Sequence, residues 1–277
     1  MSVTSVIQSP MGREFLDRYI LPFERPAELP VLVPPTTTNP GRMDAAFDYS
    51  LRFGLAARKL CAPPGQLTAE SAAFLVGRTD PILGRDLARR IQHARSLLDL
   101  LDDDLVLSEQ AAEACLSLAC LDGVVRGSSI HEIDPPRDQM EIDELRRLYQ
   151  VIPWESFEPT DLLLLGPTFG LGSEMIGGAE ADLYLDGTII SVKVGRKTGV
   201  TRDTMRQLIC YAVLSRRYGV DRAAGMPPVE YVGVYIARAG AFRYFELDSL
   251  IDMANLKVIE RGIRLVNDGV DPATWGS

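Results

Sequence analysis

The chain has 277 residues, 46% of them hydrophobic and 24% charged, which excludes a fibre or a disordered chain and leaves material for one large domain or two ordinary ones. A net charge of −9 excludes a uniformly basic nucleic-acid binder, because phosphate affinity comes from Lys and Arg. Cys61, Cys115, Cys120 and Cys210 are scattered, with no C-x-x-C and no histidine at ligand spacing, so free thiols in a reducing cytoplasm are expected rather than a zinc or iron–sulfur site, and no signal peptide or spanning segment is read.

Residues 1–40 are rich in Pro and Thr and predict an extended arm laid over the surface. Residues 41–135 predict a helical region. After Asn39-Pro40, Met43, Phe47, Leu51 and Leu55 recur every four residues, the spacing of one helix face. Asp48 in that helix is read as an exposed residue, with a place at a site held open. Three further helical patterns occupy 66–125. Asp80-Pro81 opens the long one, with Leu83, Leu87, Ile91 and Leu98 on its apolar side, and Ser108 heads the next, with Ala111, Ala114, Cys115, Leu118 and Leu121 spaced for close packing. His93 is given no role. Residues 126–136 are a polar break that contains His131.

Residues 136–277 predict an α/β core. A helix over Gln139–Val151 turns Ile142, Leu145 and Leu148 inward and leaves Glu141 and Glu144 as solvated acids. Leu162–Leu165 is too short for a helix and reads as a buried strand. Asp186-Gly187 between β-rich runs predicts a two-residue hairpin turn. That turn sets a register of Leu185 with Thr188, Tyr184 with Ile189 and Leu183 with Ile190. By alternation Glu180, Asp182, Ser191 and Lys193 then share one face, and Leu183, Leu185, Ile190 and Val192 share the apolar one. A basic loop over Val194–Val200 precedes a helix from Thr201 to Tyr218, on which Gln207 and Tyr211 are neighbours. Strands follow at Val229–Ala237 and Phe242–Leu247, and a last helix runs to about Val266. From Ser191 to Arg222 eight bases stand against two acids, a local excess directly after the polar face.

Two carboxylates, a hydroxyl and an ammonium on one sheet face suit metal-assisted hydrolysis, in which oxygen ligands hold Mg²⁺ and a lysine steadies water or developing charge. Residues 173–211 resemble the PD-(D/E)XK nuclease superfamily, in its RecB-like branch. Asp182 matches the first acid, Ser191-Val192-Lys193 falls in the place of (D/E)-x-K, and Gln207 to Tyr211 matches Q-x-x-x-Y. The resemblance implies a three-layer αβββαβ core, Mg²⁺ or Mn²⁺ as cofactor and DNA as substrate. It implies metal ligation by Asp182 and the Val192 carbonyl, a water-positioning or charge-stabilising Lys193, and a Gln207–Tyr211 pair that holds nucleic acid or site geometry. Phosphate contact is expected from Arg196, Lys197, Arg202 and Arg206.

The match departs at Ser191, where the family has Asp or Glu, and Glu180 or Glu174 is expected to supply the missing carboxylate. In place of the family's early-helix G-x-x-x-H stands Asp44 to Asp48, without the glycine or the histidine. The function expected is metal-dependent cleavage of DNA, as exonuclease or endonuclease. The alternative is an inactive nuclease-fold protein that binds nucleic acid, or that joins protein partners or a second copy through its helical region.

Overall fold

Asp186 and Gly187 take φ values of 44° and 87°, the positive pair that a type I′ turn demands. The register across the turn is the predicted one, Leu185 with Thr188, Tyr184 with Ile189 and Leu183 with Ile190. In the computed structural model, which describes residues 3–23, 26–125 and 137–274, this hairpin forms strands β2 (Leu183–Leu185) and β3 (Thr188–Lys193). The polar break with His131 lies outside the described residues.

The turn also recruits the neighbouring strand. The Asp186 carboxylate accepts the backbone N–H groups of Thr160, Asp161 and Leu162 at 2.6, 3.0 and 2.7 Å, which sets β1 (Leu163–Leu165) against β2. Burial pushes the Asp186 carboxyl up, but these three bonds outweigh it and hold the group below the usual carboxylate range. Asp186→Ala removes both acceptor oxygens of the three hydrogen bonds and leaves a Cβ residue at positive φ, so a loss of about 2–4 kcal/mol is expected in urea unfolding. Asp186→Asn, which tolerates that φ and keeps one acceptor oxygen, is expected to lose less.

The sheet runs β1-β2-β3-β4-β5, with β4 at Tyr231–Ile236 and β5 at Ala241–Glu246. Every pairing is antiparallel except β3 with β4. A parallel step needs a crossover, and helix α9 (Arg202–Tyr218) provides it. On one sheet face Leu183, Ile190 and Tyr235 share a core with α3 (Pro40–Ala57), α6 (Glu109–Val125) and α7 (Gln139–Gln150), through residues such as Phe47, Leu51 and Leu145. On the other, Tyr184, Ile189 and Val232 pack with α9 and α10 (Leu256–Asn267), through Leu208, Ile209 and Ile263. The chain is therefore an α/β fold with a mixed five-stranded sheet between two helical layers. The helical region does not keep a core to itself, because α3, α4 (Thr68–Gly77), α5 (Pro81–Leu98), α6 and one sheet face bury a common cluster. Among the described residues no helix is long and apolar enough to cross a membrane.

Two expectations are corrected. The N-terminal arm begins with two helices, α1 (Val3–Gln8) and α2 (Pro10–Asp17). Val3, Val6, Ile7, Phe15 and Leu16 sit at helical spacing and are buried with α9 and α10, and Ser9 caps the second helix by accepting the Gly12 N–H at 2.9 Å. Local Pro content is outweighed by that apolar period. From residue 26 to 38 the chain has no helix or strand, as predicted.

Glu141 and Glu144 of α7 are buried rather than solvated. Glu144 accepts the Thr36 N–H and O–H and the Thr37 N–H and pairs with Arg238 at 2.6 Å. Glu141 accepts the Thr37 hydroxyl at 2.7 Å and pairs with Arg42. The extended segment that precedes α3 supplies Thr36 and Thr37, α3 supplies Arg42 and the turn after β4 supplies Arg238, so long-range contacts make burial of both acids tolerable.

Candidate functional site

Asp182 stands one residue before β2, on the face that looks toward α9. Its Oδ2 accepts the Val192 N–H at 2.7 Å and the Ser191 hydroxyl at 3.0 Å. Ser191 is buried and committed to this bond, so it acts as a partner of the first acid and does not stand in for the second. Two residues on, Lys193 Nζ donates to Gln207 Oε1 at 3.2 Å, and Gln207 Nε2 donates to the Tyr211 hydroxyl at 3.1 Å. The i, i+4 spacing of Gln207 and Tyr211 on α9 makes that relay possible. Tyr211 is also packed, stacked on Phe169 at 5.7 Å between ring centres, so it serves core and site together.

These groups open onto a cavity of about 810 Å³ whose wall includes Glu180, Asp182, Val192, Lys193 and Gln207. Arg196 and Lys197, exposed on the loop after β3, stand at the same cavity. So do Asp48 and Arg52 of α3. Asp48 pairs with Arg52 at 2.7 Å, and Arg52 approaches Glu180 at 3.8 Å.

The charges in this space act on one another. Loss of water contact raises the Asp182 carboxyl; the Lys193 charge pulls it back and Asp48 pushes it up again, and with the two hydrogen bonds included it stays above the usual range. Glu180 is raised by burial, lowered by Arg52 and raised by Asp48 and Asp182, with the same net direction. Burial works against the Arg52 charge, but Asp48, Glu180 and Asp182 more than restore it and hold its pKa above the usual value. Carboxylates that raise one another in one cavity are a site where added positive charge is favourable.

The structure thus brings together Asp182, Ser191, Val192, Lys193, Glu180, Gln207, Tyr211, Arg196 and Lys197. It separates the rest. Glu174 is exposed on the short helix α8 (Leu171–Met175) and does not line the cavity. Arg206 is buried, held by both oxygens of Asp17 at 2.9 and 2.7 Å and by Asp203. Arg202 is held by the same Asp17 at 3.0 Å. The basic face of α9 is therefore largely answered from within the chain by α2, whereas the loop bases Arg196 and Lys197 stay exposed beside the cavity. Asp48, left open in the sequence, reaches the cavity, and Arg52 was missed. The two are one helical turn apart beside the apolar residues Phe47 and Leu51, which marks an edge of the buried face. Which part of the sheet that face covers is not a local property.

Among the described residues, no three His, Cys, Asp or Glu side chains converge as a ready metal cluster. Mg²⁺ needs less than that, because it commonly keeps several waters and binds through one or two carboxylates and a substrate phosphate. Asp182 and Glu180, each raised first by burial and further by neighbouring carboxylates, fit such a site. The arrangement combines carboxylates for a cation, an ammonium fixed by a glutamine and loop bases for phosphate. Comparison with protein-family models, curated proteins and solved structures gives no match.

Proposed function

We propose that this chain is a metal-dependent nuclease of the PD-(D/E)XK type that hydrolyses phosphodiester bonds of DNA. The observation that carries this reading is the joining of Asp182 and Lys193 in one cavity, with Lys193 tied through Gln207 to Tyr211. The chain order α7, β1, β2, β3, α9, β4, with the short α8 between β1 and β2, supports the αβββαβ core.

A bound Mg²⁺ or Mn²⁺ supplies Lewis acidity toward the phosphoryl oxygen and lowers the pKa of water. Asp182 and Glu180 would hold it, while the Val192 N–H and the Ser191 hydroxyl fix the orientation of the Asp182 carboxylate. Gln207 keeps the Lys193 ammonium in the cavity, where it orients the attacking water and offsets charge that grows on the phosphate. Arg196 and Lys197 receive the flanking phosphates as charge-assisted donors.

One feature favours a second reading, a DNA-binding protein without catalysis: the hydroxyl at position 191 offers no charge to a metal. Incubation of linear and circular DNA with the native chain in Mg²⁺ and in Mn²⁺ separates the two. Cleavage that a chelator stops is expected; DNA retention with no cleavage in either ion would establish the second reading.

A further inference from the structure

One cation at the carboxylate cluster comes from neither the hairpin nor the basic loop. Arg52 reaches in from α3, its Nε 2.7 Å from Asp48 Oδ2 and its Nη1 3.8 Å from Glu180 Oε1. The second distance is too long for a hydrogen bond, and the Glu180 side chain remains 58% exposed. Arg52 is thus in close contact with Asp48 and is held toward Glu180 by charge alone. A pair with a half-exposed partner, as with Glu180, is weak.

There is also room for it to leave. Arg52, Asp48 and Glu180 also line a second cavity of about 280 Å³, bounded by residues 61–68 and by Arg222. A divalent cation carries twice the charge of a guanidinium in a smaller radius. Where both seek the same carboxylates, the ion of higher charge density gains more from them.

We propose that Arg52 is a built-in competitor for the divalent cation, holding the space between Asp48 and Glu180 in the metal-free chain and swinging toward the second cavity when the cation binds. This rests on the metal-dependent reading of the site. It makes Arg52 the residue that sets metal affinity without ligating metal. Mutual repulsion among Asp48, Glu180 and Asp182 is what Arg52 relieves while the cation is away.

Calorimetric titration with Mn²⁺ of the native chain, Arg52→Gln and Arg52→Lys tests this. Removal of a full charge a few ångströms from the carboxylates is expected to tighten Mn²⁺ binding about tenfold or more in Arg52→Gln. Arg52→Lys, which keeps the charge, is expected to stay close to the native chain. Binding by the native chain that Arg52→Gln leaves equal or weaker overturns the inference and spares the metal reading. Absence of binding in all three chains overturns both. If Arg52→Gln does not fold, nitrogen-15 spectra of the native chain serve instead: saturating Mg²⁺ is expected to move the Arg52 Nε–H resonance, and an unmoved resonance overturns the inference.

Discussion

Lys193→Ala is expected to lower the single-turnover rate of DNA cleavage by about 10²–10⁴-fold, the range for loss of a positioned proton-transfer or charge-stabilising group. Lys193 ends β3, and its backbone position is set by the parallel pairing with Ile236 of β4. Its ammonium is fixed by Gln207 at 3.2 Å and is the charge that offsets the burial of Asp182. The substitution leaves the strand, the turn and both cores in place but takes from Asp182 its main compensating charge, so some fall in the thermal midpoint is expected and rates are compared at a temperature where both chains are folded. Gln207→Ala removes the tether and not the charge, and about a tenfold loss of rate is expected from imperfect positioning alone. Equal rates in native and Lys193→Ala chains would remove Lys193 from the mechanism.

The largest expected effect on stability lies outside the cavity. Arg238 is 2% exposed and donates to Val194 O at 2.6 Å, to Val33 O at 3.0 Å and to Glu144 Oε1 at 2.6 Å. One guanidinium thus joins the end of β3, the extended segment before α3 and helix α7. Arg238→Met leaves Glu144 buried without its cation, and about 3–5 kcal/mol is expected to be lost in urea unfolding. Because Val194 directly follows Lys193, the same variant is expected to slow cleavage even under conditions where it is folded.

Glu144 adds a pH dependence of defined sign. Burial pushes its carboxyl up, but Thr36, Arg238 and the Thr37 N–H together hold it below the ordinary value of 4.5. A group with a depressed folded pKa contributes stability that is complete above the unfolded value and fades as pH falls through the folded one. Stability of the native chain is therefore expected to fall below about pH 4.5, and Glu144→Gln is expected to flatten that fall while lowering stability at neutral pH. Unfolding midpoints in urea between pH 3 and pH 7 check both arms, and a parallel fall in the two chains would contradict the role given to Glu144.

Short-range chemistry was readable and long-range assembly was not. Asp186-Gly187 fixed the hairpin and its register, because positive φ at two successive positions admits few residue types. That register put Asp182, Ser191 and Lys193 on one face, and the spacing of Gln207 and Tyr211 put them on one turn of α9. Helix α1 stayed hidden, since six residues carry little periodicity, and α2 began with a proline that reads equally well as a loop. Glu141 and Glu144 looked solvated because their donors, Thr36, Thr37, Arg42 and Arg238, are supplied from distant parts of the chain. Arg202 and Arg206 looked like phosphate contacts for the same reason: Asp17, which holds both, lies far away in sequence. Arg52 belongs to this group too, as its place depends on how α3 is docked over the hairpin.

The most direct test of the central claim is the cleavage rate of end-labelled DNA in Mn²⁺ by the native chain and by Ser191→Asp, measured side by side. The proposed mechanism predicts EDTA-sensitive cleavage by the native chain, and a faster rate in Ser191→Asp, where a charged metal ligand beside Asp182 outweighs loss of the hydroxyl's bond to it. Absence of cleavage by both chains, with the fold intact, would contradict the assignment of this cavity as a nuclease active site.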